Sequence, residues 1–348
     1  MIRFENDYSN GAHPNVMKWM IETNEITSGV YSEDDYCDKA RRVIKKLCND
    51  ERAAVHFLPG GTMTNLTMIS ASLLSYQGVI SSSVGHIEVH ETGAIEAKGH
   101  KILTIPSHNG KITAEAIRAI FDQHHSDPDH EHTVQPGMVY LTNPTEYGAI
   151  YSKEELTAIS NVCRACELYL YVDGARLGYA LTAEGNDLTL SDLASLCDAF
   201  YIGGTKHGAL LGEALVITND KLKKHFRYYI KQNGALLAKG RILGIQFLAL
   251  FEDDIYFKSS QAANQKAKVL KDGIAALGYS FYVDSPTNQQ FPLLPTKMLG
   301  ILAKKYTFSD MGRVDNTLSL TRFCTNFATK DEDIAELLSD IAAIKQTL

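Results

Sequence analysis

Short apolar runs alternate with amphipathic helical patterns between about residues 50 and 220, and no other feature of the sequence constrains the fold as strongly. The runs predict seven strands, at 53–58, 79–82, 101–105, 138–142, 168–172, 199–202 and 214–218. Helical spacing of apolar residues fills the intervals, and Ser152-Lys153-Glu154-Glu155 has the pattern of a capping box. This alternation predicts an α/β domain with a mainly parallel seven-stranded sheet. Ligands of such sheets bind beyond the carboxyl ends of the strands.

The character of the sequence changes after about residue 235. Two long helical stretches are predicted at 239–251 and 259–277, followed by short strands at 279–283 and 318–323. A second capping-box pattern, Thr329-Lys330-Asp331-Glu332, precedes a last helix. We therefore expect a large domain of residues 1–240, with an N-terminal segment 1–25, and a smaller α+β C-terminal domain of residues 241–348.

Composition narrows the functional classes. Thirty-four Lys and Arg against forty-one Asp and Glu give a net charge of −7, with no basic block of the kind that binds nucleic acid. No run approaches the roughly 18 apolar residues of a membrane span, and the N-terminus lacks the apolar stretch of a signal peptide. The six cysteines are scattered, which is typical of reduced thiols. We expect a cytoplasmic protein without a nucleic-acid or membrane partner.

Two features suggest metal or redox chemistry only weakly. Cys163 and Cys166 form a C-x-x-C, but they fall in a predicted helix and no second pair completes a zinc site. The histidines of the polar segment 123–136 are irregularly spaced, as in a solvated loop. We therefore predict no metal site.

Three strand ends carry candidate functional residues. After the first strand, Pro59-Gly60-Gly61-Thr62 opens a helix, an arrangement that suits a phosphate because helix N-termini attract anions. The segment matches neither a Walker loop nor a dinucleotide fingerprint, and a simple tight turn is the alternative.

Asp173 ends a strongly apolar strand, and Arg176 follows three residues later. A carboxylate in this position either binds a ligand or forms a salt bridge with Arg176. Lys206 follows another apolar strand and lies between glycines. In a crowded site its pKa would fall and its neutral amine would attack carbonyls; an exposed loop lysine is the alternative.

The order of these three elements points to one cofactor. Pyridoxal 5′-phosphate needs an anion site for its phosphate, a carboxylate at its pyridine nitrogen and a lysine for its aldehyde. The sequence supplies a candidate for each, with Lys206 placed 33 residues after Asp173. Nicotinamide chemistry would have no use for the lysine.

With these motifs in view, the chain resembles the low-specificity L-threonine aldolases, in the β-eliminating-lyase group of fold-type-I pyridoxal-phosphate enzymes. The resemblance runs from Phe4 to near the C-terminus. The most specific motifs are Gly61-Thr62-Met63-Thr64-Asn65, Val172-Asp173-Gly174-Ala175-Arg176 and Thr205-Lys206. It implies a fold-type-I transferase-like large domain, a small-molecule amino-acid substrate and a homodimer or homotetramer.

The resemblance also implies roles for individual residues. The implied catalytic residues are Lys206, His86 and His132, of which His86 also stacks on the pyridoxal ring. The implied cofactor-binding residues are Gly61, Thr62, His86, Asp173, Arg176 and Lys206. The implied substrate-binding residues are Asn6, Tyr31, Arg176 and Arg322, with Arg322 on the substrate carboxylate. From the residues alone, a structural strand-end histidine is the favoured interpretation of His86, because a functional role needs geometry to support it.

Two segments depart from the pattern of that family. Asn6 replaces a serine that the family places near the substrate carboxylate. The segment 234–241 lacks the family arginine in register, and Lys239 or Arg241 is the candidate to replace it.

The implied reaction is cleavage of L-threonine, L-allo-threonine and other β-hydroxy-α-amino acids to glycine and an aldehyde. The sequence leaves open whether His86, His132 or a water held by them removes the β-hydroxyl proton. A β-eliminating lyase or an aminotransferase on the same scaffold is the rival reaction, and a non-enzymatic pyridoxal-binding module is the rival class.

Overall fold

A computed structural model describes residues 1–348. Its thirteen strands are β1 (Ile2–Arg3), β2 (Ala54–Leu58), β3 (Gln77–Ser82), β4 (Ile102–Ile105), β5 (Gln135–Thr142), β6 (Tyr169–Asp173), β7 (Ala199–Gly203), β8 (Glu213–Ile217), β9 (Gln289–Gln290), β10 (Leu293–Pro295), β11 (Tyr306–Thr307), β12 (Ser309–Arg313) and β13 (Leu318–Cys324).

The helices cover the sheets and connect the strands. They are α1 (Pro14–Glu22), α2 (Asp35–Cys48), α3 (Gly61–Ser72), α4 (His86–Val89), α5 (Ala114–Ser126), α6 (Lys153–Ala165), α7 (Leu177–Leu181), α8 (Leu190–Leu196), α9 (Asp220–Lys223), α10 (Phe226–Gln232), α11 (Arg241–Phe251), α12 (Ile255–Ala276), α13 (Thr296–Leu302) and α14 (Asp331–Lys345).

The seven predicted strands form one sheet in the order β2-β8-β7-β6-β5-β3-β4. The sheet is mainly parallel, as predicted, and only β8 runs antiparallel to its two neighbours. Thr142 at the end of β5 lies opposite Asp173 at the end of β6. The parallel strands therefore end along one edge, and the residues that follow them converge there.

Both faces of this sheet are buried. Leu170 and Val172 of β6 pack in a cluster of 38 buried residues, whereas Tyr171 packs in a second cluster of 19 on the other face. Successive side chains of a strand point to opposite faces, so one apolar strand serves both clusters. Each fully buried aliphatic side chain contributes about 1.5–3 kcal/mol, and the strand ends are held on a rigid base.

The smaller C-terminal part is built on a four-stranded antiparallel sheet. Strand β13 lies between β10 and β12 and also pairs with β9. Twelve buried residues form its core, and Phe4 belongs to them because β1 pairs with β11. Helix α11 instead packs Leu243, Phe247 and Leu250 into the core of the large sheet. The boundary at residues 240 and 241 stays a prediction.

Two local predictions for the C-terminal part are wrong. Residues 279–283 form no strand, and only Phe281 makes an isolated bridge with Pro292. The second capping box is also absent, because Thr329 Oγ1 accepts the N–H of Asn326 at 2.9 Å and α14 begins after Lys330. The first capping box is confirmed at Ser152 and Glu155.

The six cysteines are all free and buried. Cys163 lies in α6, as predicted, whereas Cys166 is the residue that directly follows this helix. Burial raises the pKa of both thiols, which disfavours the reactive thiolate near neutral pH. None of the helices combines the length and apolar character that crossing a membrane requires.

Candidate active site

A cavity of about 850 Å³ opens at the edge where the parallel strands end. Most of the predicted site residues line it, namely Gly61, Thr62, His86, Asp173, Arg176, Lys206 and Arg322. Ser309, Asp310 and Met311 line the side contributed by the C-terminal part. The sheet thus brings together residues that are far apart in sequence, in the place that parallel topology predicts.

Lys206 lies in the short helical turn Thr205–His207, directly after β7. Its Nζ forms no hydrogen bond and no ion pair in the chain, and the ring centroid of Tyr8 is 5.8 Å away. Burial lowers the pKa of this amine, and the charge of Arg176 lowers it further. A lysine that is desolvated, unpaired and easily deprotonated is suited to covalent chemistry with a carbonyl.

Asp173 is buried at the end of β6. Its Oδ2 accepts hydrogen bonds from Asn65 Nδ2 at 2.8 Å and Tyr140 Oη at 2.6 Å, and its Oδ1 accepts the N–H of Ala175 at 3.0 Å. Burial alone would raise the pKa of this carboxyl. Nearby His86 and the hydrogen bond from Tyr140 outweigh burial, and the pKa lies below its ordinary value. Asp173 is therefore an ionised carboxylate facing the cavity.

His86 is the first residue of α4, just after β3. Its Nδ1 lies 2.8 Å from Glu91 Oε1, and that oxygen also accepts a hydrogen bond from Asn65. Because a carboxylate only accepts, this contact makes Nδ1 the donor, and in the neutral form of the ring Nε2 is then the nitrogen with the free lone pair. Asn65 thereby connects the supports of His86 and Asp173.

The glycine-rich turn opens helix α3 at the same edge. Gly60 is the residue before the helix and provides no side-chain cap. The first N–H groups of a helix have no partner within it, and the helix dipole adds partial positive charge there. Gly61 and Thr62 line the cavity, so this end of α3 can receive an anionic group.

The two predicted arginines have different environments. Arg176 donates to both carboxylate oxygens of Asp7, from Nε at 2.7 Å and from Nη2 at 2.9 Å. Arg322 makes no ion pair. Its Nη2 donates to Glu5 O at 3.2 Å and Ser309 Oγ at 3.0 Å, and its buried Nε has no partner. An unpaired guanidinium in the cavity favours Arg322 over Arg176 as the anchor of a substrate carboxylate.

Three predicted residues do not reach the cavity of this chain. His132 lies in a short turn before β5 begins, at the opposite edge of the sheet from Lys206, so the expectation that it acts in this cavity is corrected. Tyr31 is 38% exposed, and its ring lies under Lys231 Nζ. Asn6 Oδ1 accepts from the backbone of Tyr8 and the hydroxyl of Ser9 instead.

The candidates for the missing family arginine also lie outside the cavity. Lys239 is exposed. Arg241 donates to the carbonyl oxygens of Thr23, at 2.8 Å, and Ile26. Its guanidinium therefore holds the loop after α1.

Several residues that line the cavity or contact its lining side chains were not predicted from the sequence. Tyr140 is one example, and it could have been predicted, because it lies two residues before the end of β5, the strand next to β6. Glu146 follows β5, and its Oε1 accepts the N–H of His86 at 2.7 Å. Asp7 gave no such signal, since its partner Arg176 is 169 residues away.

The arrangement fits pyridoxal 5′-phosphate. Lys206 has an amine without a partner, Asp173 is ionised, and the α3 N-terminus can receive an anion, all around one cavity of sufficient volume. A nicotinamide or metal centre would require different donors.

Comparisons with known proteins agree with this geometry. The family model of the beta-eliminating lyases matches residues 7–294. A low specificity L-threonine aldolase of Pseudomonas sp. is 31% identical over 98% of this chain and 97% of its own length.

Solved structures give the same result. The structure of Leishmania major threonine aldolase superimposes with a TM-score of 0.96 at 41% identity and covers 99% of each chain. The histidinol-phosphate aminotransferase of Clostridium acetobutylicum has a TM-score of 0.76 at 13% identity, with 100% of each chain covered, which shows a shared fold. The architecture is that of the fold-type-I enzymes, and the chain belongs to the beta-eliminating lyase family of pyridoxal-phosphate-dependent enzymes.

Proposed function

We propose that this protein cleaves L-threonine, L-allo-threonine and related β-hydroxy-α-amino acids to glycine and an aldehyde. The observation that carries the proposal is the convergence of Lys206, Asp173 and the unpaired Arg322 on one cavity. The similarity to threonine aldolases over nearly the whole chain supports it.

Each of these residues has a defined task. Lys206 Nζ would bind the cofactor aldehyde covalently, and Asp173 would keep a proton on the pyridine nitrogen. Gly61 and Thr62 would receive the phosphate. When bound, the cofactor supplies an electron sink for the pair released when a bond to Cα breaks. Arg176 supports the site by lowering the pKa of Lys206.

Substrate orientation then decides which bond breaks. Arg322 would hold the α-carboxylate, and this contact fixes the direction of the Cα–Cβ bond. Nε2 of His86, or a water held by it, would accept the β-hydroxyl proton, since Nδ1 is engaged by Glu91. The O–H pair becomes the second bond of the aldehyde, and a proton added at Cα completes glycine.

The test is an absorbance spectrum of the holoenzyme followed by addition of L-threonine, with glycine and acetaldehyde quantified. Equimolar glycine and acetaldehyde, without a keto acid, support the proposal. Release of ammonia and a keto acid would indicate β-elimination, and dependence on an added keto acid would indicate transamination.

We further propose that the protein is a homodimer or homotetramer that works in the cytoplasm. An exposed apolar surface supports association, because Met17, Ile21, Ile26, Val30 and Tyr31 all lie on the segment 17–31 with 38–70% exposure. Six free buried cysteines suit a reducing compartment.

Sedimentation of the wild type and of Ile26→Glu tests the association. A wild-type oligomer that the charge dissociates supports it, whereas an active wild-type monomer contradicts it. Cell fractionation tests the location.

A further inference from the structure

Glu213 is a buried acid in the region where the phosphate is proposed to bind. It is the first residue of β8, and because β8 is antiparallel it lies at the edge where its neighbours end. Its register partners are Leu58, which precedes the turn into α3, and Gly203, which precedes Thr205 and Lys206. The backbone thus places this carboxyl between the two segments that form the proposed anion site.

The contacts of Glu213 fix its side chain there. Oε2 accepts the N–H of Gly204 at 3.0 Å, and Oε1 accepts the hydroxyl of Thr205 at 2.8 Å. The residue is 3% exposed and lines the cavity, and it forms no ion pair. A carboxylate in this place would repel a phosphate and would occupy a hydroxyl that could otherwise donate to it.

A proton on Glu213 would remove the charge repulsion. Burial raises the pKa of the carboxyl to about 8. The titratable groups that face it are Lys206, Asp173, Tyr171, Tyr201 and Tyr256. Lys206 lowers the pKa of Glu213 and Asp173 raises it, while the turn into α3 presents no titratable side chain.

We propose that Glu213 remains protonated when the cofactor is bound and donates a hydrogen bond to its phosphate group, so that phosphate recognition is coupled to this proton. A protonated carboxyl is a donor, as the site requires, whereas the ionised form is only an acceptor. The inference rests on the proposed function, which places the phosphate at Gly61 and Thr62.

The experiment compares two ligands on the full chain. The holoenzyme and the chain loaded with pyridoxal, which lacks the phosphate, are equilibrated from about pH 7 to about pH 9.5, and both dissociation constants are measured. The ratio of the two constants cancels effects on the link to Lys206, which the ligands share. The second pKa of the cofactor phosphate is about 6, so the phosphate is already a dianion over most of this pH range.

In the wild type, the dissociation constant of pyridoxal phosphate divided by that of pyridoxal should increase with pH. At pH values above about 8 the increase should approach tenfold per pH unit. Glu213→Gln keeps a donor that does not titrate, so its ratio should stay flat. Glu146→Gln removes another buried cavity acid, away from the anion site, and should retain the wild-type slope.

If the ratio of the two dissociation constants does not change with pH in the wild type, the inference is wrong. This measurement tests the inference even if Glu213→Gln fails to fold. An equal slope in Glu213→Gln also overturns it, because another group would then be titrating. Failure of the wild type to bind pyridoxal phosphate at any pH would instead overturn the proposed function and the inference together.

Discussion

Arg176 and Asp7 form a buried ion pair with two hydrogen bonds, although 169 residues separate them. The guanidinium comes from the turn between β6 of the large sheet and α7. The carboxylate comes from the N-terminal segment and also accepts a hydrogen bond from Asn288 Nδ2 at 2.9 Å. The pair therefore joins the N-terminus, the large sheet and the C-terminal part beside the cavity.

Asp7→Asn should destabilise the protein strongly. The substitution leaves the buried guanidinium of Arg176 without its counter-charge, a change that costs about 3–5 kcal/mol. Urea unfolding of both proteins at neutral pH measures the loss of unfolding free energy. Asp220→Asn is the matched control, because the carboxylate that pairs with Arg52 and Lys223 is exposed and should contribute little. Equal stability of Asp7→Asn and the wild type would contradict the role of this pair.

Lowering the pH should remove the unfolding free energy that the ion pair between Arg176 and Asp7 contributes. Burial would raise the pKa of Asp7, but Arg176 and then Lys206 outweigh it and lower the pKa to about 2, from an ordinary 3.8. A carboxyl with a lowered pKa stabilises the fold at any pH above its pKa in the unfolded chain. That contribution is lost as the pH falls through its pKa in the folded protein. The stability difference between the wild type and Asp7→Asn should therefore narrow by about 2 kcal/mol between about pH 4 and pH 2. A constant difference would contradict the lowered pKa.

The large sheet could be predicted from the sequence because its signals are local. The central strands β6 and β7 are apolar runs with almost every residue buried, and Asp173 and Lys206 lie at or just after their ends. Parallel topology then brings these strand ends together without further information. The C-terminal part gave weaker signals, since β9, β10 and β11 contain only two or three residues each. Such elements are too short for a periodic pattern.

The failures within the site have a different cause. His132 was expected in the site from the family resemblance, but the eight residues of β5 separate its turn from the strand ends that line the cavity. The number of residues between two positions does not show that a strand carries the chain from one end of the sheet to the other. Glu213 could not be expected at this site from the sequence, because it begins a strand, and only the antiparallel direction of β8 brings that beginning to the edge where the other strands end.

Borohydride reduction of the holoenzyme should attach the pyridoxyl group to Lys206. The reason is that its Nζ is unpaired in the cavity and burial lowers its pKa, which favours the neutral amine. Peptide mapping by mass spectrometry locates the label. Lys206→Ala should give no label, whereas Lys239→Ala, on an exposed loop outside the cavity, should be labelled like the wild type. A label on any other lysine would disprove the assignment.

Asp173→Asn should keep the fold and much of the cofactor binding yet lose most turnover. An asparagine retains the shape of the side chain but supplies no negative charge to hold a proton on the ring nitrogen. We expect kcat for threonine cleavage to fall roughly a hundredfold or more, as when one preorganised electrostatic contact is removed. Circular dichroism and cofactor absorbance provide the controls. Wild-type turnover in the variant would show that the carboxylate does not tune the cofactor.

Arg322 distinguishes substrate binding from cofactor binding. Its guanidinium has no carboxylate partner in the chain, and its Nε is buried without any hydrogen bond. An α-amino acid brings a carboxylate, and only arginine offers two parallel N–H donors to it. Arg176 cannot offer the same pair of donors, because its Nε and Nη2 are bound to Asp7.

Arg322→Lys should therefore raise KM for threonine and lower kcat/KM by an amount on the order of 2–4 kcal/mol, since one charged contact loses its paired geometry. Cofactor absorbance should change little, because Arg322 is not proposed to hold the cofactor. Steady-state kinetics together with a cofactor titration separate the two effects. If the variant loses the cofactor, or if its kcat/KM equals that of the wild type, Arg322 does not bind the substrate carboxylate. Arg176 is then the next candidate for that contact.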